Sequence, residues 1–211
     1  DPVEIRIPGL NQVQVNAKAG MTFASGLRSI LRQDPDIILV GEIRDGETAE
    51  IAMRAAITGH LVFSTIHTND AVSSINRLID MGLEPYMVST ALIGVISQRL
   101  VRRICTNCRE AYDPDQYDIE TLHLEPGQKI YKGKGCSECN EKGYKGRIGV
   151  YEIMPISHKI AGMISRGANA DEIEQQAITE GMTTLRRGAA EYVLQGITTI
   201  SEMRKVAYED E

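Results

Sequence analysis

Four cysteines in two pairs carry the most specific chemical signal in the sequence. Cys105-Thr106-Asn107-Cys108 and Cys136-Ser137-Glu138-Cys139 are two CxxC turns with 27 residues between them. Each turn can present two sulfurs to one ion. The pattern therefore predicts a closed tetrahedral zinc site with Cys105, Cys108, Cys136 and Cys139 as ligands. With four protein ligands and no open position, such an ion holds a loop together and does not catalyse. A thioredoxin-like redox motif needs only one CxxC, and disulfides belong to oxidising compartments.

The second signal is acidic and imidazole chemistry around two short apolar runs. Ile37-Ile38-Leu39-Val40 is rich in β-branched residues and follows Asp34-Pro35, a boundary signal. It reads as a strand buried on both faces of a parallel sheet. Gly41-Glu42 ends it, so a carboxylate stands where open α/β sheets place their ligands. A helical stretch with Ile51, Ala55 and Ala56 leads to a second strand, Leu61-Val62-Phe63, which delivers Ser64, Thr65 and His67 to the same edge. His60 and His67 bracket that strand. Glu42 resembles the Walker B acid of phosphate-loop ATPases, although glycine precedes it where an aspartate is usual. A satisfied strand-end carboxylate is the competing reading. No G-x-x-x-x-G-K-[ST] phosphate loop occurs in the chain.

The elements that must position these groups follow from periodicity. Val13 and Val15, alternating with polar neighbours, predict a half-buried strand. Phe23, Leu27, Ile30 and Leu31 predict a helix over 22–33 with Thr22 as N-cap. Ile75, Leu78 and Ile79 predict another over 71–81, stopped by Gly82. Residues 86–104 read as a helix, apolar first and then basic at Arg99, Arg102 and Arg103, where cations suit the negative end of the dipole. Residues 143–151 read as a turn feeding a short strand. Three short helices near 157–166, 171–180 and 183–195 precede a last one capped by Ser201. The organisation expected is an α/β core over 1–104, a tetracysteine subdomain over 105–150 and a helical region over 151–211.

Composition bounds the function. The chain has 211 residues, 42% hydrophobic and 25% charged, with a formal net charge of −6. That acidity disfavours sequence-independent nucleic-acid binding. No apolar run reaches the roughly 18 residues that span a bilayer, and the N-terminus shows no signal peptide. A cytoplasmic chain is expected, and its start at Asp1-Pro2-Val3-Glu4 without methionine suggests a piece of something longer.

Taken together these residues resemble the C-terminal part of the type II secretion and type IV pilus assembly ATPases. Asp1-Pro2-Val3-Glu4 is similar to the tail of that family's Asp box. Arg32-Gln33-Asp34-Pro35-Asp36 through Val40-Gly41-Glu42-Ile43-Arg44-Asp45 matches its atypical Walker B, glycine included, and Gly59-His60-Leu61-Val62 through Thr65-Ile66-His67-Thr68-Asn69 matches its His box. Gln98-Arg99-Leu100 followed by the cysteines points to the secretion and pilus-extension branch, because retraction ATPases generally lack those cysteines. The resemblance implies a partial RecA-like fold within a cytoplasmic homohexamer docked on an inner-membrane assembly platform, using ATP and Mg²⁺. It implies that Glu4 positions the attacking water, that Glu42 acts through magnesium, and that His60, Thr65 and His67 contact phosphate. It places the phosphate loop, the arginine fingers and the regulatory N-terminal domains upstream of Asp1. A zinc-ribbon module that binds protein or nucleic acid without catalysis is the alternative.

Overall fold

The computed structural model describes residues 3–207 and is a mixed α/β chain. In order it runs α1 (Phe23–Ile30), β1 (Ile37–Val40), α2 (Gly46–Ile57), β2 (Leu61–Ser64), α3 (Ala71–Asp80), α4 (Pro85–Ala91), β3 (Gly94–Ile104), β4 (Arg109–Tyr112), α5 (Gln116–Leu122), β5 (Ile130–Gly133), β6 (Tyr144–Pro155), α6 (His158–Ser165), α7 (Ala170–Thr179), α8 (Leu185–Leu194) and α9 (Ile200–Ala207). These elements fall into two compact units, one of residues 3–68, 72–95 and 155–176, the other of residues 69–71, 96–154 and 177–207.

In the first unit β1 and β2 pair in parallel, with Ile37 opposite Leu61 and Val40 opposite Ser64. Helix α2 makes the crossover between them. It begins where Asp45 accepts a hydrogen bond from the Thr48 amide at 2.8 Å, satisfying an otherwise orphaned donor. Its first residue has to be glycine: a Cβ on Gly46 would run into the Met81 carbonyl. Thr22 caps α1 through a reciprocal exchange with Ser25, as its position before the apolar stripe predicts. Helices α1, α2, α4 and α6 pack in succession, burying Leu27, Ala52, Val88 and Ile160 among others.

Three expectations are corrected here. Strand β1 is covered on one face only: Ile38 and Val40 are buried, whereas Ile37 and Leu39 are 63% and 75% exposed. Its unbroken apolar run thus reports composition on both faces but burial on one. Residues 11–15 form no strand. Their glutamines bond nearby main chain instead, Gln12 accepting from the Ile7 amide at 2.9 Å and donating to the Ile5 carbonyl at 3.0 Å. Residues 86–104 are not one helix. Helix α4 stops at Ala91, Leu92 is extended, and Gly94–Ile104 is a strand whose alternating burial follows its β-branched Val95, Ile96, Val101 and Ile104. Arg99, Arg102 and Arg103 therefore lie on a strand and have no helix dipole to complement.

The second unit is built on β3 paired with β6, which runs longer than the short strand expected. One core joins Val101, Ile130, Val150, Leu185, Val193 and Met203, from both sheets and from α8 and α9. Strands β4 and β5 form an antiparallel hairpin, with the unforeseen α5 in its connection, capped by Asp115. Helix α9 is tied down by the buried Glu202, which accepts from the amide and guanidinium of Arg102 at 2.9 and 2.8 Å and from Lys205 at 2.7 Å. Burial raises the pKa of that carboxyl, and these donors outweigh it, leaving it at about 2. The α9 helix starts at Ile200, so Thr199 and not Ser201 accepts the cap hydrogen bond, from the Glu202 amide.

Candidate functional site

The parallel pair places its two polar tips at one edge. Beyond Val40 and Ser64 the pairing continues through the Ile43 amide to the Thr65 carbonyl at 2.9 Å, and the Thr65 hydroxyl donates to the Gly41 carbonyl at 2.7 Å. Thr65 thus clamps the turn that carries Glu42. The Glu42 carboxylate is buried, and its two oxygens are separately engaged. One accepts from the Arg44 guanidinium and the other lies 3.3 Å from His67 Nε2. The hydrogen bond from Arg44 is the main reason its pKa falls below the usual carboxylate value, against the burial that pushes it up, with His67 contributing less. The His67 side chain is 87% exposed, so one end of this cluster faces solvent.

Of the residues singled out in the sequence, Glu42, Thr65 and His67 come together. His60 does not join them. It precedes β2, at the opposite end of the strand from His67, and its Nδ1 lies 3.0 Å from the Ala55 carbonyl, where it satisfies the C-terminal end of α2. Glu4 is exposed, and among the described residues its carboxylate makes no hydrogen bond or ion pair. Asp1 and Pro2, the start of the expected Asp box, lie outside the described residues. Arg44, which the sequence places only within the Val40–Asp45 run, joins the site in the structure. Its signal was the Glu-x-Arg spacing, which lets a guanidinium two positions on fold back over the carboxylate.

The second candidate centre is the cysteine cluster. All four thiols are free and lie within 4.8 Å of one another. Cys105 and Cys136 sulfurs are 3.9 Å apart, Cys108 and Cys139 3.9 Å, and Cys136 and Cys139 3.7 Å. A tetrahedron with metal–sulfur bonds of about 2.3 Å needs sulfurs about 3.8 Å apart, so the donor set fits one zinc ion. Backbone amides of Gly135, Cys136 and Gly143 donate to sulfur at 3.3, 3.3 and 3.2 Å, the hydrogen bonding that orients thiolate ligands. The Asn107 amide donates to Cys136 and brings its thiol down to about 7, whereas desolvation pushes Cys108 up to about 12. The knuckles close because Gly133 and Gly143 touch main chain to main chain: a Cβ on either would overlap the other.

The fold and these two centres define a mixed α/β chain with a carboxylate–imidazole cluster at a parallel strand edge and a four-thiol metal-binding arrangement. A family model described as type II/IV secretion system protein matches residues 1–205. The type IV pilus assembly ATPase PilB of Thermus thermophilus is 53% identical over 207 residues, covering 96% of this chain and 23% of that protein. The type II secretion system protein E of Klebsiella pneumoniae is 50% identical over 206 residues, covering 98% of this chain and 41% of that protein. Among solved structures, the pilus retraction motor PilT with bound ADP superposes with a TM-score of 0.61 at 29% identity, covering 88% of this chain and 43% of that one. The Legionella pneumophila ATPase DotB, 19% identical with a TM-score of 0.62 over 89% of this chain and 42% of that one, shares the fold. The chain belongs to the type II/IV secretion system protein family. It spans less than half the length of these relatives.

Proposed function

We propose that this chain is the C-terminal part of a RecA-like motor ATPase that drives type II secretion pseudopilus or type IV pilus assembly, and that the strand edge at Glu42 is its half of the hydrolytic site. The observation that carries this reading is the buried Glu42 carboxylate, held charged between Arg44 and His67 at the carboxyl end of a parallel strand pair. A fixed negative group there can hold the water shell of a magnesium ion against a terminal phosphate. His67, exposed on its outer side, is placed to meet that phosphate, and Thr65 keeps the strand tips together. Glu4, free of partners among the described residues, completes the pair of carboxylates as the group that positions the water. His60 acts on the same site only through α2, whose end it holds.

Glu42 would act on magnesium through an intervening water, because Arg44 and His67 already engage its two oxygens, and such an ion would neutralise developing charge on the phosphates. Cys105, Cys108, Cys136 and Cys139 would hold a structural zinc that closes residues 105–139 into a ribbon. The reading extends, as the family resemblance implies, to a cytoplasmic homohexamer on an inner-membrane platform.

The test is steady-state hydrolysis together with equilibrium ATP binding in the whole ATPase. Glu42→Gln and Glu4→Gln each keep binding and lose turnover by about 10²–10⁴-fold, the range for acid–base groups. His67→Ala keeps binding and loses part of the turnover. Wild-type hydrolysis by Glu42→Gln would remove the Walker B assignment.

A further inference from the structure

The sulfurs of the four-thiol site are not held alike. Cys105 and Cys139 are buried, and Cys139 Sγ accepts from the Cys136 and Gly143 amides at 3.3 and 3.2 Å. Cys108 is half-buried, but main chain from the second knuckle fixes it. The Lys134 amide donates to its carbonyl at 3.0 Å and the Gly135 amide to its sulfur at 3.3 Å, just past the pairing of Arg109 with Gly133.

Cys136 differs. It is half-buried, and the amides aimed at its sulfur, those of Glu138 and Cys139, belong to its own turn. Its sulfur neighbours are Cys139 at 3.7 Å and Cys105 at 3.9 Å. From the first knuckle its one donor is a side chain: the Asn107 amide reaches Cys136 Sγ at 3.4 Å. Asn107 is itself exposed, so it can be replaced without opening the core. Lys145, whose charge also reaches Cys105 and Cys136, is tied to Glu138 at 2.7 Å. Donors behind a metal ligand orient it and set how firmly the ion is kept. A site of four thiolates opens one sulfur at a time. The sulfur that solvent reaches, tied across the knuckles by one side chain, is where opening begins.

We propose that Cys136 is the ligand at which the four-thiol site opens, and that Asn107 is the positioning residue that keeps it closed. The proposal rests on the reading of the four cysteines as a zinc centre. It adds an entry path at one corner of that centre, while the other three sulfurs hold the shape of the ribbon.

The test uses the 211-residue chain loaded with zinc, and it reads two quantities. One is the rate at which the ion passes to an excess of a chromophoric chelator. The other is the order in which iodoacetamide alkylates the cysteines, located by peptide mass spectrometry. A sulfur bound to metal is shielded, so the first cysteine alkylated is the first released. In wild type that cysteine is Cys136. Asn107→Ala transfers zinc about 10–100-fold faster, the scale for losing a hydrogen bond behind a metal ligand. Asn107→Asp offers no N–H and sets a negative charge against the thiolate, so it is at least as fast as Asn107→Ala. Both variants speed alkylation of Cys136 more than that of Cys108, whereas a merely loosened ribbon would speed the two together. Alkylation of Cys108 before Cys136, or an Asn107→Ala chain that keeps zinc as long as wild type, overturns the proposal. A wild-type chain that binds no zinc overturns the metal reading itself, and this proposal with it.

Discussion

Glu42 is buried, yet its surroundings keep it ionised, and that combination restricts what it can do. Burial alone would raise its pKa and make it a proton acceptor near neutrality. Arg44 reverses the sign, so the carboxyl titrates below its ordinary value of 4.5. A carboxylate this weak as a base acts better by orienting water and carrying charge than by storing a proton. The charged form therefore persists below pH 4.5 and is lost only as the pH falls through the lowered folded value. Carboxyl ¹³C titration of Glu42 in the chain should show a midpoint below 4.5. Arg44→Ala should raise it, and His67→Ala should raise it less, because Arg44 is the larger cause. A midpoint unmoved by Arg44→Ala would remove the guanidinium from the site.

At the scale of elements, the cysteine ribbon gives the sharpest prediction. Gly143 has φ 74° and sits against the Gly133 main chain, two reasons against any side chain. Gly143→Ala should destabilise the ribbon by more than ~1 kcal/mol, since it forces L-residue strain on top of a main-chain overlap. It should also weaken metal retention. Elemental analysis of the wild-type chain prepared without chelator should give one zinc per chain. A metal-free wild type, or a Gly143→Ala variant that retains zinc like wild type, contradicts this picture. The CxxC pairs made this centre legible because metal ligation fixes both residue type and spacing. The strand pair and its edge were legible as well, since Asp34-Pro35 marks a boundary and a polar run directly follows each apolar one. The 86–104 segment reads as a helix in the sequence because Arg99, Arg102 and Arg103 suit a helix end as well as a strand, and the pairing with β6 decides between them. Pairing depends on residues 40 positions or more away, beyond any local pattern. For Arg44 the obstacle is local: the Glu-x-Arg spacing permits the ion pair, but only the turn after β1 folds the guanidinium back over Glu42.

For the molecule as a whole, the question is what these 211 residues can do by themselves. They carry Glu42, Thr65 and His67 as a formed cluster and no G-x-x-x-x-G-K-[ST] segment. The phosphate loop supplies a nest of backbone amides and a lysine that together hold the nucleotide's phosphates. A carboxylate edge without that cradle can orient water but has no fixed phosphate to direct it at, so the entropic advantage of a bound, aligned substrate is lost. Ile37 and Leu39, on the face of β1 away from the buried Ile38 and Val40, are exposed among the described residues. The purified chain should therefore fold, bind ATP weakly at most, and show no turnover above that of its Glu42→Gln variant. The measurement is phosphate release at saturating Mg-ATP for both proteins, beside a binding isotherm. Hydrolysis that depends on Glu42 in the purified chain would mean that phosphate is held by groups other than a phosphate loop. The basic residues around the Glu42–His67 edge, Arg44 first among them, would then be the ones to substitute.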